Sequence, residues 1–305
     1  MRIAVMGAGA VGGYFGGMLA RSGHDVTLIA RGPHLTAIQE QGLRVVSDRD
    51  DFTVHCEATD SPGKVGVVDL ILLTVKTYHN PVAVPAMLPM IGPDTLVLCL
   101  QNGIDSYQAA ADVVGAEKVM PGAAYIEAGH PEPGLVTQSG DVVRIEFGEA
   151  GGGDSERGPA LQRTLEQAGI PARFCLDIHQ TLWSKFLFIA TMAGVTSLAR
   201  ETLAQLMPRP EWRRIIIDCL KEIESVGLAS GIRLDSDIVA STLEYIEGSL
   251  EELQASMHSD LLAGRPLELE ALNGAVVRAG EKAGVPTPIN ELIYAMLKPY
   301  QKGLS

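Results

Sequence analysis

The stretch TLWSKFLFIATMAG, Thr181 to Gly194, is apolar on nearly every side yet carries one ammonium, Lys185. At helical spacing its own face continues through Phe188, Ile189, Met192 and Ala193, with no carboxylate close by in sequence. Such a lysine can do chemistry. A carbonyl oxygen that gains negative charge must be stabilised and protonated, and an ammonium whose pKa is lowered toward neutrality is a suitable donor. Desolvation by the apolar neighbours would lower it. The plainer reading is a lysine that snorkels its charge out of an apolar helix, and the residue pattern alone leaves the two open.

A second group of chemically suggestive residues opens the chain. IAVMGAGAVGGYFG supplies G-x-G-x-x-G as Gly7, Gly9 and Gly12, with Ala8, Ala10 and Val11 between them, directly after a strand-like run and before a helical one. Each glycine has its own reason. Gly7 permits the tight turn, Gly9 lets the backbone approach a pyrophosphate, and Gly12 allows close packing of helix on strand. The helix start then offers unpaired N–H groups and the positive end of its dipole to phosphates, so this stretch reads as a dinucleotide-binding loop.

An NAD site usually places Asp or Glu about 20 residues further on, to hold the ribose 2′-hydroxyl. Here LIARGPH puts Ala30 and Arg31 there, with His34 close behind. A guanidinium cannot accept that hydrogen bond but can grip a 2′-phosphate through paired charge-assisted bonds, which favours NADP(H). A solvated loop arginine is the alternative. Two further polar residues, Lys76 in LLTVKTY and Asn102 in LCLQNGI, follow strand-like runs, where open α/β folds keep their ligands. Each could equally punctuate a strand end, and Asn102-Gly103 is a strong turn pair.

The elements that must position these residues alternate in the first half. RIAVM, DVTLIA, VDLILLTVK and TLVLCLQ are strand-like, nearly continuous apolar runs separated by helical patterns, as a parallel sheet buried on both faces requires. Residues 119–150 switch to short alternating segments, an antiparallel extension, and a last helix and strand complete this part. From about Gln180 onward the pattern is helical: Trp183 to Ala199, Pro210 to Ala229, Ser236 to His258 and Leu267 to Gly284. The expected fold class is therefore α/β, an N-terminal Rossmann-type doubly wound sheet over residues 1–178 followed by an all-α domain over 179–305. The face carrying Leu243, Ile246, Leu250 and Leu253 reads as core, with a homodimer interface as its alternative.

Composition narrows the partners. At 305 residues, two ordinary domains are expected. Thirty-seven acidic against 24 basic residues, a net charge of −13, argue against nucleic acid or an anionic membrane and for a small-molecule partner. Four scattered cysteines without ligand spacing indicate neither a disulfide framework nor a metal site. No export signal is read at the start, and charges or prolines interrupt every apolar run before the roughly 18 residues of a spanning helix. A cytoplasmic setting is expected.

The whole pattern resembles the ketopantoate reductases: GAGAVGG, Arg31, TVK ending in Lys76, QNG with Asn102, W-S-K, SMHSD with Ser256 and ELEALNG with Glu268. The resemblance implies NADPH-dependent reduction of a 2-oxo acid to a 2-hydroxy acid, ketopantoate to pantoate in pantothenate and coenzyme A biosynthesis, on a Rossmann domain and a helical domain with the active site in the cleft between them. It further implies that Lys185 is the general acid, that Glu268 orients that lysine and the substrate, and that Ser256 is a substrate ligand. Asn102 and Lys76 would serve the nicotinamide end and the reacting group. Pairing with Glu268 would raise the Lys185 pKa that desolvation lowers. One departure concerns the substrate. Members acting on ketopantoate usually carry asparagines one and two turns after the lysine, where this sequence has Ile189 and Ala193, which can only pack against carbon. That favours, as an alternative, a related D-2-hydroxyacid dehydrogenase acting on a more apolar 2-oxo acid. A non-catalytic NADP-binding regulator would keep the glycines and Arg31 without needing Lys185 and Glu268 together.

Overall fold

A computed structural model describes residues 1–48, 50–250 and 255–303. In chain order the first part holds β1 (Arg2–Met6), α1 (Ala10–Arg21), β2 (Asp25–Ile29), α2 (Gly32–Gln41), β3 (Leu43–Ser47), β4 (Asp51–Val54), β5 (Glu57–Thr59), β6 (Leu70–Leu73), α3 (Asn80–Ala86), β7 (Leu96–Cys99), α4 (Gln108–Val114), β8 (Val119–Glu132), β9 (Leu135–Phe147), α5 (Arg157–Gln167) and β10 (Ala172–Phe174). The helices that follow are α6 (Ile178–Ala199), α7 (Leu203–Leu206), α8 (Pro210–Ala229), α9 (Ile238–Gly248), α10 (Ser256–Leu262), α11 (Asn273–Ala283) and α12 (Pro288–Leu297).

Five strands in the order β5-β2-β1-β6-β7 pair in parallel, and β8 extends them in parallel on β7. This is the doubly wound order, with its switch point between β1 and β6. Alternation along β1 shows why both faces need helices: Ile3 and Val5 enter a core with Phe15 and Leu19 of α1, whereas Ala4 and Met6 enter another with Val84 of α3 and Ala110 of α4. The antiparallel extension is the long β8–β9 pair, and β10 lies parallel to β9. The β3–β4 hairpin, which pairs through β3 with β9 and leaves β4 at the sheet's edge, was absent from the sequence reading; its strands are short.

Packing divides the chain into two compact units, Met1–Gln101 with Ser106–Ile178, and Asn102–Asp105 with the chain from His179 onward. In the second, α6 is a core helix: Trp183, Phe186, Leu187, Ala190, Ala193 and Val195 are buried against α8, α10, α11 and α12. It is also long and apolar enough to cross a membrane, contrary to the expectation from interrupting charges, because Lys185 is too sparse an interruption; 67% of its most apolar stretch is buried.

Two helix predictions need correction. Ser236 to His258 does not form one helix: α9 ends at Gly248 and Ser249, a weak helix pair, and α10 starts at Ser256. Leu243, Ile246 and Leu250 pack into the helical core, while Leu253 lies outside the described residues. Leu267 to Gly284 becomes helical only from Asn273, because Leu267, Leu269 and Leu272 are drawn into the core from an irregular turn.

Candidate active site

In the first unit the site is built from backbone. Gly7 has φ +109°, which a residue with a side chain rarely adopts, and a Cβ there would lie 2.7 Å from Val75 Cγ1. A Cβ on Gly12 would lie 2.1 Å from the Gly7 carbonyl oxygen and 2.4 Å from Thr74 Oγ1. Thr74 Oγ1 donates to that same carbonyl at 2.8 Å, which ties the end of β6 to the loop across the switch point. Gly9 differs: a Cβ there would meet nothing within 4 Å, so neither fold nor packing asks for glycine. It caps the N-terminus of α1 with no side chain to occupy the free N–H groups, and the first turn carries no acid. Open space before an uncapped helix start fits a pyrophosphate. Ala8 is buried, while Ala10 and Val11 are partly buried in the first turn.

Arg31 follows β2 as the residue before α2, extended in backbone and exposed, with no hydrogen bond or ion pair to its guanidinium among the described residues. His34, given little weight by sequence, proves part of the loop. The Gly134 N–H donates to its Nδ1 at 2.9 Å, so Nδ1 is the unprotonated nitrogen, and Nε2–H donates to the Ala8 carbonyl at 2.7 Å. His130 Nε2 also lies 2.8 Å from His34 Nδ1. Burial holds both imidazoles below the ordinary histidine pKa, and for His130 the charge of His34 adds to this.

Lys76 is half-buried beyond β6, its carbonyl accepting the His79 N–H at 2.9 Å. Its loop is fixed by residues that the sequence reading missed. Gln101 Nε2 donates to the Val75 carbonyl at 2.7 Å and to Asn80 Oδ1 at 2.6 Å, and Asn80 Nδ2 returns a bond to Gln101 Oε1 at 3.2 Å. The Gln beside Asn102 in QNG was the available signal.

The second unit holds the side chains. Asn102 and Gly103 form a turn, with Gly103 at φ +117°, but the asparagine also reaches outward: Lys185 Nζ donates to its Oδ1 at 3.0 Å. Turn and contact therefore coexist. Lys185 is half-buried on α6, Ile189 is partly buried one turn on, and Ala193 is buried a turn beyond. Glu268 is only 5% exposed, in the irregular segment before α11, so it is not the solvated helix-start acid that its spacing allowed. Ser256 is exposed as the first residue of α10.

The comparisons agree along the whole chain. Residues 3–152 match the family model described as ketopantoate reductase PanE/ApbA, and residues 177–301 match that of its C-terminal region. The 2-dehydropantoate 2-reductase of Lactococcus lactis subsp. lactis is 30% identical over 297 residues, 94% of either chain. The crystal structure of 2-dehydropantoate 2-reductase from Geobacter metallireducens GS-15 superposes with a TM-score of 0.93 at 31% identity, covering 98% of this chain and 99% of that one. A ternary structure of D-mandelate dehydrogenase with NADH and anilino(oxo)acetate gives 0.90 at 28% identity, over 99% and 98%.

Proposed function

The chain belongs to the ketopantoate reductase family of oxidoreductases, and on that premise we propose that it reduces a 2-oxo acid to the 2-hydroxy acid with NADPH, ketopantoate being the first candidate. The observation that carries this reading is the Lys185–Asn102 hydrogen bond, which holds one ammonium on an otherwise apolar helix face.

The bound nicotinamide would supply the hydride. The backbone N–H groups from Gly9 into α1 would hold the pyrophosphate, and the Arg31 guanidinium, without a hydrogen bond or ion pair among the described residues, would take the 2′-phosphate. Lys185 stabilises the oxygen of the reacting carbonyl as it becomes an alkoxide, then delivers the proton from Nζ. Asn102 Oδ1 fixes the direction of that ammonium. Glu268 orients Lys185 and the substrate, Ser256 binds the substrate, and Lys76 serves the nicotinamide end or the reacting group.

A second reading is favoured by Ile189 and Ala193. Two carbon surfaces beside Lys185 suit a more apolar 2-oxo acid than ketopantoate, the class of reaction carried by a D-2-hydroxyacid dehydrogenase. One assay separates the two: nucleotide oxidation with ketopantoate, 2-oxoisovalerate and phenylglyoxylate, each with NADPH and NADH. Preferred turnover of ketopantoate with NADPH supports the first reading. Preference for phenylglyoxylate or 2-oxoisovalerate supports the second, and silence across the panel refutes both.

A further inference from the structure

Burial along α6 singles out one face. From Leu182 to Ser197 every residue is buried except Ser184, Lys185, Phe188 and Ile189, which are neighbours at helical spacing on one side of the helix. Met192 and Ala193, the next residues on the Lys185 face, are buried again, so the open surface is confined to the lysine and the turn that follows it. Ser184 turns its hydroxyl back onto the Gln180 carbonyl at 2.8 Å, which leaves Phe188 and Ile189 as the apolar part of that surface.

Single exposed apolar residues are ordinary, but these two stand beside one ammonium, and a third joins them from another helix. Tyr245 of α9 is 49% exposed and meets Phe188 edge-on, with 5.4 Å between ring centroids and 80° between ring planes. An edge-on pair leaves ring surface free on each member, onto which a further ring can pack.

We propose that Phe188 and Tyr245 are specificity-determining residues: with Ile189 they form the surface that receives the substituent on the carbonyl carbon of the 2-oxo acid, and they favour a ring over a methyl group or a hydroxylated branch. The proposal rests on the role given above to Lys185 as the group that meets the carbonyl oxygen. Phe188 and Ile189 lie one helical turn, about 5.4 Å, beyond the lysine, so a carbonyl oxygen held at Nζ leaves its substituent within reach of both. Neither side chain offers a hydrogen bond. A hydroxyl on the substituent would lose its water there without replacement, whereas a ring loses nothing polar and gains aromatic contacts.

The test measures kcat/KM for phenylglyoxylate, pyruvate and ketopantoate at saturating NADPH in wild type, Phe188→Ala, Tyr245→Ala, Tyr245→Phe and Lys185→Ala. Its readout is the ratio of phenylglyoxylate to pyruvate, in which effects on folding, cofactor binding and the shared proton transfer cancel. We expect wild type to favour phenylglyoxylate over both other acids. The ratio should fall about tenfold or more in Phe188→Ala and about threefold in Tyr245→Ala, mostly through KM, and Tyr245→Phe, which keeps the ring, should retain it. Tyr245 stands in an exposed position, so its variants keep the question measurable if Phe188→Ala fails to fold. A wild-type enzyme that turns over pyruvate or ketopantoate without favouring phenylglyoxylate overturns the proposal, as does a ratio unchanged by removal of either ring or one already lost in Tyr245→Phe. Those outcomes leave the reductase reading standing. Full turnover by Lys185→Ala, or silence of wild type with every acid, overturns that reading and the proposal with it.

Discussion

The glycine loop after β1 and the Lys185 face of α6 solve opposite problems. In the loop the proposed binding falls to the main chain, and side chains are missing: at Gly7 for its φ, at Gly12 for its closeness to the Gly7 carbonyl, at Gly9 for neither. On α6 nearly every residue is explained by burial, and one side chain is left over for chemistry. Function thus shows itself in the loop as space the fold does not need, and on the helix as a charge the core does not need.

The sharpest break of this comparison is Lys185→Ala. Because α6 is held by its apolar residues and Lys185 is only half-buried, the variant should fold with a Tm close to wild type while kcat falls about 10²- to 10⁴-fold, the range for loss of a general acid. Steady-state NADPH oxidation beside a thermal melt reads both. A large fall in Tm would show that the lysine belongs to the core after all.

The loop allows a paired test in which fold and binding separate. Gly12→Ala forces a Cβ against a carbonyl oxygen and should destabilise the first unit by about 3 kcal/mol or more. Gly9→Ala adds its methyl to open space and, on the proposed approach of the pyrophosphate there, should leave Tm unchanged while raising the Kd for NADPH about tenfold or more. Equal damage from both substitutions, or none from Gly9→Ala in a titration, would return Gly9 to a merely structural turn.

Arg31 carries a smaller effect because its guanidinium is exposed. Arg31→Ala should weaken NADPH about tenfold, leave NADH nearly untouched, and lose most of the difference at high salt. Parallel Kd values for the two nucleotides in wild type would remove the 2′-phosphate from its role.

The same contrast explains what could be read from sequence. The doubly wound sheet was legible because its strands are continuous apolar runs, and the loop because main-chain chemistry demands consecutive residues. Lys185 stood out by being anomalous on its helix. Glu268 and Ser256 did not: their local spacing allows a solvated helix start, and only the family resemblance singled them out. The burial of Glu268 is a product of the core around it, which no local pattern carries. Asn80 and Gln101 escaped because their partners lie far off in sequence, at 21 and 26 residues' separation. The β3–β4 hairpin escaped for a different reason, its strands being short.

The smallest effect tests how firmly the loop is held from outside. His34 supports the Ala8 carbonyl only while Nδ1 is free to accept the Gly134 N–H, and His130 faces the same nitrogen. Protonation would place an N–H against both donors, so the fold favours the neutral ring, and burial lowers the pKa of both histidines accordingly. With the folded value below the unfolded one of about 6.5, this stabilisation is complete above that pH and is lost as pH falls through the lowered folded value. Acid also protonates carboxylates elsewhere, so the informative quantity is a difference between proteins. The drop in Tm from about pH 7.5 to about pH 5.5 should be larger in wild type than in His34→Asn/His130→Asn, by about 1–3 °C, because both rings keep some contact with water that screens the charge. NADPH should protect wild type less at the acid end than at the neutral end, since the carbonyl that His34 braces belongs to the glycine loop proposed to hold the pyrophosphate. Identical pH dependence in the two proteins would mean that the loop holds its shape from β1, β6 and α1 alone.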